Sequence, residues 1–182
     1  HSSYSDWADY DNFSPDITVE GSDSKLLPAY LSLIRLSDSA IQNLISYFEA
    51  QEEPTIIVFF GDHQPADSVV RPVWKLNGKD DTDLTDEEEA LRYKVPFFIW
   101  ANFNIETEND LEISANYLAA KTLDAAGLPK SAYDNFLSQL RTEVPVISAN
   151  HVTLSDGTFT TASKQKDLLY DYQTLQYYLL FD

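Results

Sequence analysis

Asp62 and His63 stand side by side at the end of an apolar run, "IIVFFGDHQP", residues 56–65. A carboxylate offers a hard anionic oxygen and an imidazole a borderline nitrogen, a set that suits Mn²⁺, Zn²⁺ or, less comfortably, Mg²⁺. Neighbours within a strand point to opposite faces, so the two could not share a cation if the strand ran on through them. Gly61 relaxes that limit by permitting a sharp change of direction where the strand ends. In open α/β sheets, ligands gather beyond the carboxyl ends of strands, which is where this pair sits. The plainer alternative is a turn in which Asp62 caps and His63 is an ordinary polar residue, and these ten residues alone weigh the two equally.

Such a pair needs a strand to carry it and further elements to hold that strand. "TIIVFF", 55–60, is short, uninterrupted and β-branched, the pattern of a strand covered on both faces, as in a parallel sheet. Before it, Pro28 opens a predicted helix through about Ala50, with Tyr30, Ile34, Ile41, Leu44, Ile45 and Phe48 on one side. A helix leading into a buried strand is the rhythm of an α/β fold. Residues 64–84, with Pro65, Pro72, Gly78 and the acidic "KDDTD", read as a long connection. Thr85 with Glu88 forms a capping box and predicts a short helix over about 86–92. "KVPFFIWAN", 94–102, reads as a second buried strand that begins near Pro96. Helices follow over 113–129, stopped by Gly127 and Pro129, and over 131–145, capped by Ser131. Asp156-Gly157 signals a hairpin within 152–161, and a last helix spans 163–181. Residues 1–27, rich in Ser, Asp and Tyr, read as an irregular surface segment. With no internal repeat and no clear linker, one domain or the back half of one is the simplest organisation.

The totals restrict the function. The 182 residues, 43% hydrophobic and 13% aromatic, are enough for one domain with a real core. Thirty acidic against twelve basic residues leave a net charge of −18, which repels nucleic-acid backbones and anionic lipid. With no Cys, any metal must be held by Asp, Glu, His or hydroxyl oxygens. No apolar run is long enough to cross a bilayer and no signal peptide is visible. The abrupt start at "HSSYSD" and the absence of Met lead to the expectation that the chain is cut from a longer one.

Three blocks in order carry a resemblance: the strand ending in Gly61-Asp62-His63, "YKVPFFIWAN" about thirty residues on, and "ISANYLAAKTLDAAGLP". Continued through "YDNFLSQLRTEVPVISA", the series resembles the C-terminal half of the sulfatase-like lipoteichoic acid synthase family over roughly residues 1–150. These are membrane-anchored phosphoglycerol transferases of the alkaline phosphatase superfamily. The resemblance implies an α/β sandwich around a mixed, largely parallel sheet, of which the N-terminal half lies outside this chain. Residues 1–182 would then be the C-terminal portion of one sulfatase-like catalytic domain, with 1–27 on the active-site side and 152–182 forming the hairpin and terminal helix. It implies one divalent cation, Mn²⁺ or Mg²⁺, with Asp62 and His63 matching two of the family's ligands. The remaining acidic ligand and the nucleophilic Thr would lie upstream of His1, so the chain alone is expected to be inactive. His1, in "HSSY", is compatible with a family His that contacts the phosphoglycerol head of the substrate. In this family the Thr attacks the phosphorus of a phosphatidylglycerol-like lipid, diacylglycerol leaves, and the phosphoglycerol group passes to an acceptor.

The resemblance therefore implies anionic glycerophospholipid and glycerol-phosphate polymer as substrates, and work at the extracellular face of a bacterial membrane anchored by helices outside this chain. Self-association of an incomplete sheet is a further expectation. Two alternatives stay open. One is a related sulfatase, phosphodiesterase or phosphoethanolamine transferase, against which Gln64-Pro65 in place of a Gly after the pair argues mildly. The other is a surface binding module that keeps the fold without the chemistry. Arg71, Lys75 and the acidic run 80–89 read as solvated, Trp74 and Trp100 as packing residues, and His151 carries no assigned role.

Overall fold

A computed structural model describes residues 13–181. The helices are α1 (Leu26–Glu49), α2 (Asp67–Leu76), α3 (Asp86–Ala90), α4 (Leu118–Ala126), α5 (Ala132–Glu143) and α6 (Lys166–Phe181). The strands are β1 (Ile56–Phe60), β2 (Phe97–Ala101), β3 (Val146–Ile147), β4 (Val152–Thr153) and β5 (Phe159–Thr160). β1 and β2 form a two-stranded sheet, and β3-β4-β5 an antiparallel one with Val152 opposite both Ile147 and Thr160. The chain divides into two compact units, one of residues up to Thr55 with Phe59–Phe98, the other of Ile56–Val58 with Ile99 onward.

Unit one holds the Asp62–His63 strand end. α1 begins two residues before Pro28, which therefore sits in the first turn, where a missing N–H costs nothing. Ser24 Oγ accepts from Leu27 N at 3.1 Å and serves as the cap. Buried Ser32 donates to Pro28 O at 2.8 Å and accepts from Asp16 N and Ile17 N, both at 3.1 Å. One hydroxyl thus ties the irregular segment before α1 to the helix, and an Arg35–Asp16 ion pair adds a second tie. The burial expected for the apolar stripe of α1 stops early. Leu27, Ala29 and Ser32 are buried, whereas Ile34 and Leu44 are exposed.

The predicted connection 64–84 contains a helix. Asp67 in the first turn and Lys75 in the last suit the helix dipole, Val69 is buried, and Asn77 with left-handed Gly78 ends α2. Pro72 removes only one ladder donor, so the helix survives it. α3 forms as its Thr85–Glu88 capping box predicts. β1 and β2 occupy their predicted places, but β1 is not covered on both faces. Phe59 and Phe60 are exposed among the described residues, with Phe59 stacked on Phe98 at 5.2 Å.

Unit two is built around a real core of Tyr117, Ala120, Leu137, Leu140, Val144, Val152, Leu169 and Tyr172. α4 ends at left-handed Gly127, and α5 starts at a Ser131–Asp134 capping box, both as predicted. The hairpin turns at Asp156-Gly157, with Gly157 left-handed and Thr158 N donating to Asp156 Oδ1 at 2.9 Å. The predicted hairpin thus exists, and β3 extends it to three strands. Buried Tyr117 donates to Val144 O at 2.7 Å, and burial pushes its phenol well above the ordinary tyrosine range.

Candidate metal centre

The sequence places Asp62 and His63 two and three residues past β1, and the local fold brings them to one side. Gly61 N donates to Pro96 O at 3.0 Å, holding the end of β1 against the start of β2. Gly61 is not in the left-handed region, so the turn expected at this residue uses no conformation reserved to glycine. Glycine is required there by close approach, because a Cβ would lie 3.0 Å from Val95 Cβ.

Past that contact the chain bends. Asp62 Oδ1 accepts from His63 N at 3.0 Å, which fixes the carboxylate, and its Oδ2 lies 3.4 Å from His63 Nε2. The side chains therefore converge, as a shared cation requires. The other ring nitrogen, Nδ1, lies 2.9 Å from Gln64 O. A carbonyl oxygen can only accept, so Nδ1 carries the proton and the Nε2 side of the ring meets a carboxylate. A neutral imidazole has one proton for these two acceptors. At 3.4 Å the Nε2–Oδ2 separation is longer than a hydrogen bond and leaves room for one cation between the two atoms. Two adjacent ligand atoms each about 2.1 Å from one cation lie about 3.0 Å apart at an octahedral angle and about 3.4 Å apart at a tetrahedral one. The pair is thus fit to hold a divalent ion. Both side chains face solvent, Asp62 at 69% and His63 at 63% exposure.

Among the described residues, no group of three or more His, Cys, Asp or Glu is arranged to hold a metal. His1 lies outside the described residues. Neighbouring charges are occupied elsewhere. Arg92 Nη2 bonds Asp67 Oδ1 at 2.7 Å, Arg71 Nε bonds Asp81 Oδ2 at 2.8 Å, and Lys79 bonds Glu88 at 2.6 Å. Hydrogen bonds from Lys79 and from Thr85 hold the Glu88 carboxyl below its usual range, and those from Thr82 do the same for Asp80. Asp80, Asp81 and Glu88 of the acidic run thus have partners, and the run is mostly exposed. Trp74 and Trp100 are half-buried, as packing residues are. His151 lies in unit two, its Nδ1 2.8 Å from Ser148 Oγ and its ring stacked on Phe159, with burial lowering its affinity for a proton.

Sequence reasoning missed Gln64. Its side-chain amide donates to Lys94 O, thirty residues away, and Pro65 behind it is buried. No periodicity announces such a contact. The only sequence signal was the Gln-Pro dipeptide itself, directly after the two candidate ligands.

The sequence model of the Sulfatase family matches residues 1–128. A Rhizobium meliloti (strain 1021) protein named "Putative cyclic beta-1,2-glucan modification protein" is 25% identical over 180 residues, which are 91% of this chain and 27% of that protein. The solved "Streptococcus pyogenes phosphoglycerol transferase GacH in complex with sn-glycerol-1-phosphate" is similar with a TM-score of 0.51 at 18% identity. That similarity covers 74% of this chain and 32% of the other, and it indicates an alkaline phosphatase-like α/β fold. The chain thus spans about a third or less of the proteins it matches.

Proposed function

Because the chain belongs to the sulfatase family, we propose that it is part of a metal-dependent enzyme transferring a phosphoglycerol group from a phosphatidylglycerol-like lipid to a cell-envelope acceptor. The reading places that enzyme at the outer face of a bacterial membrane, with Mn²⁺ or Mg²⁺ as its cation. Members of this family generally use a divalent metal, and the observation that carries the assignment here is the 3.4 Å approach of His63 Nε2 to Asp62 Oδ2 beyond β1. When bound, such a cation lowers the pKa of a hydroxyl nucleophile and neutralises charge on phosphoryl oxygens. Asp62 supplies one anionic ligand oxygen, and the hydrogen bond from His63 N keeps that carboxylate turned toward the site. His63 supplies Nε2 while its Nδ1 proton remains on the Gln64 carbonyl. His1 is assigned to the phosphate or glycerol of the substrate. The nucleophile and the remaining ligands are assigned to sequence outside this chain, so the 182 residues alone should turn over no substrate.

A phosphoglycerol donor is favoured by the solved relative, whose printed description includes sn-glycerol-1-phosphate. The acceptor has two candidates. A glycerol-phosphate polymer is the first. A glucan hydroxyl is the second, and it is favoured by the printed name of the Rhizobium relative. The test uses the full-length protein with Mn²⁺ and phosphatidylglycerol vesicles, following release of diacylglycerol with each acceptor. Asp62→Ala and His63→Ala should each abolish release. Full activity in either variant would remove the metal assignment, and no release from the wild type with any acceptor would remove the lipid donor.

A further inference from the structure

The ring of His63 could present either nitrogen to a cation, and only one choice places a lone pair beside Asp62. That choice is favoured by Gln64 O, 2.9 Å from Nδ1, over Asp62 Oδ2, which at 3.4 Å from Nε2 is beyond hydrogen-bond range. A backbone carbonyl directs a ring only if the carbonyl is itself held. Residues 62 and 63 are exposed and lie beyond the last β1 residue, so the strand ladder does not hold them. The restraint comes from the far side of Gln64. Its Nε2 donates to Lys94 O, just before β2, and the next residue, Pro65, is buried. Gly61 is fixed to the same stretch through Pro96 O. The Asp62–His63 turn is therefore clamped at both ends onto residues 94–96, by a backbone bond before it and a side-chain bond after it.

We propose that Gln64 is a positioning residue: its side-chain amide, by gripping Lys94 O, holds the Gln64 carbonyl where it keeps the His63 proton on Nδ1 and presents Nε2 with Asp62 to the cation. This rests on the cation reading given above for the outcome of metal binding, but not for the state of the ring. This role requires no contact of Gln64 with cation or substrate. Partners of this kind that orient a ligating histidine commonly change metal affinity about 10- to 100-fold when removed.

The first measurement needs no metal. Long-range ¹H–¹⁵N correlation spectra of the 182-residue chain at pH 8 report which ring nitrogen is protonated, with His63 identified by the signal lost in His63→Gln. The wild type should show His63 protonated on Nδ1. A folded wild type with His63 protonated on Nε2 overturns the proposal without any variant. The second measurement compares Gln64→Met, which keeps length and bulk but has no donor, with Gln64→Ala. Both should mix the two ring forms and, in the full-length protein, weaken Mn²⁺ binding roughly tenfold or more. Retention of the wild-type ring form and affinity by Gln64→Met overturns the role of the amide and leaves only packing. If Asp62→Ala binds Mn²⁺ as the wild type does, the cation reading fails, while the ring measurement still decides whether Gln64 sets the His63 proton.

Discussion

In unit two, Tyr117, Val144, Val152 and Leu169 are at most 1% exposed, whereas in unit one Asp62 and His63 are more than half exposed. The first set is held by burial, with Tyr117 satisfied through Val144 O. The second is held by three polar contacts at a strand end, to Pro96 O, Gln64 O and Lys94 O. Burial is strong and non-directional. Polar contacts to fixed carbonyls contribute less stability but define direction. The difference teaches where each kind of residue acts. Substitutions in the core of unit two should move stability and leave cation affinity alone. Those at the strand end of unit one should do the reverse.

The largest effect that could break this contrast is at the ligands. In the full-length protein, Asp62→Ala and His63→Ala should lower Mn²⁺ affinity by at least about 100-fold, read by titration calorimetry, because each removes a proposed ligand atom directly. Their unfolding free energies should stay within about 0.5 kcal/mol of wild type, since both side chains are exposed. A loss of several kcal/mol would show that the pair also holds the fold. The converse test is Leu137→Ala in the core of unit two. It should cost about 2–5 kcal/mol in denaturant unfolding while the Mn²⁺ affinity of folded molecules is unchanged.

The same contrast explains what the sequence made legible. Elements defined by local rules emerged where predicted: α3 and α5 from their capping boxes, α4 from Gly127, the hairpin from Asp156-Gly157. The position of Asp62 and His63 just beyond a strand end was legible because an apolar run closed by Gly61 is a local signal. Three features were not, each for a physical reason. α2 was hidden by Pro65, Pro72 and Gly78, which read as loop residues although Pro65 precedes the helix, Pro72 is tolerated within it and Gly78 follows it. The exposure of Ile34, Leu44 and Phe60 was hidden because periodicity shows which face is apolar and not whether anything lies over it. The clamp from Gln64 to Lys94 O joins residues thirty apart through a backbone atom, which no residue type encodes.

A smaller effect tests whether unit one uses polar ties away from the site as well. Ser32 is buried, and its hydroxyl serves Asp16 N, Ile17 N and Pro28 O. Ser32→Ala leaves two backbone donors without their acceptor and should cost about 1–3 kcal/mol. Hydrogen exchange should show faster loss of protection at Asp16 and Ile17 than in α1. Equal protection in both proteins would mean that the Arg35–Asp16 pair alone holds the segment.

The smallest effect lies in unit two, where one partly exposed ion pair sits outside the core. A hydrogen bond from Lys121 holds the Glu108 carboxyl below the usual glutamate range, against a smaller opposing contribution from burial. A carboxyl with a lower pKa folded than unfolded binds more protons in the unfolded chain as pH falls. Its stabilisation is therefore complete above the unfolded value, about 4.3, and is lost as pH drops through the folded one. Glu108 is 43% exposed, so solvent screening keeps the contribution to about 0.2–1 kcal/mol. Glu108→Gln should be less stable than wild type by that amount from pH 7 to pH 5.5, with no slope in the difference, and the gap should close below about pH 4. A gap that instead widened on acidification would mean that the carboxyl is favoured in its protonated form in the fold, and the ion pair with Lys121 would not be its main partner.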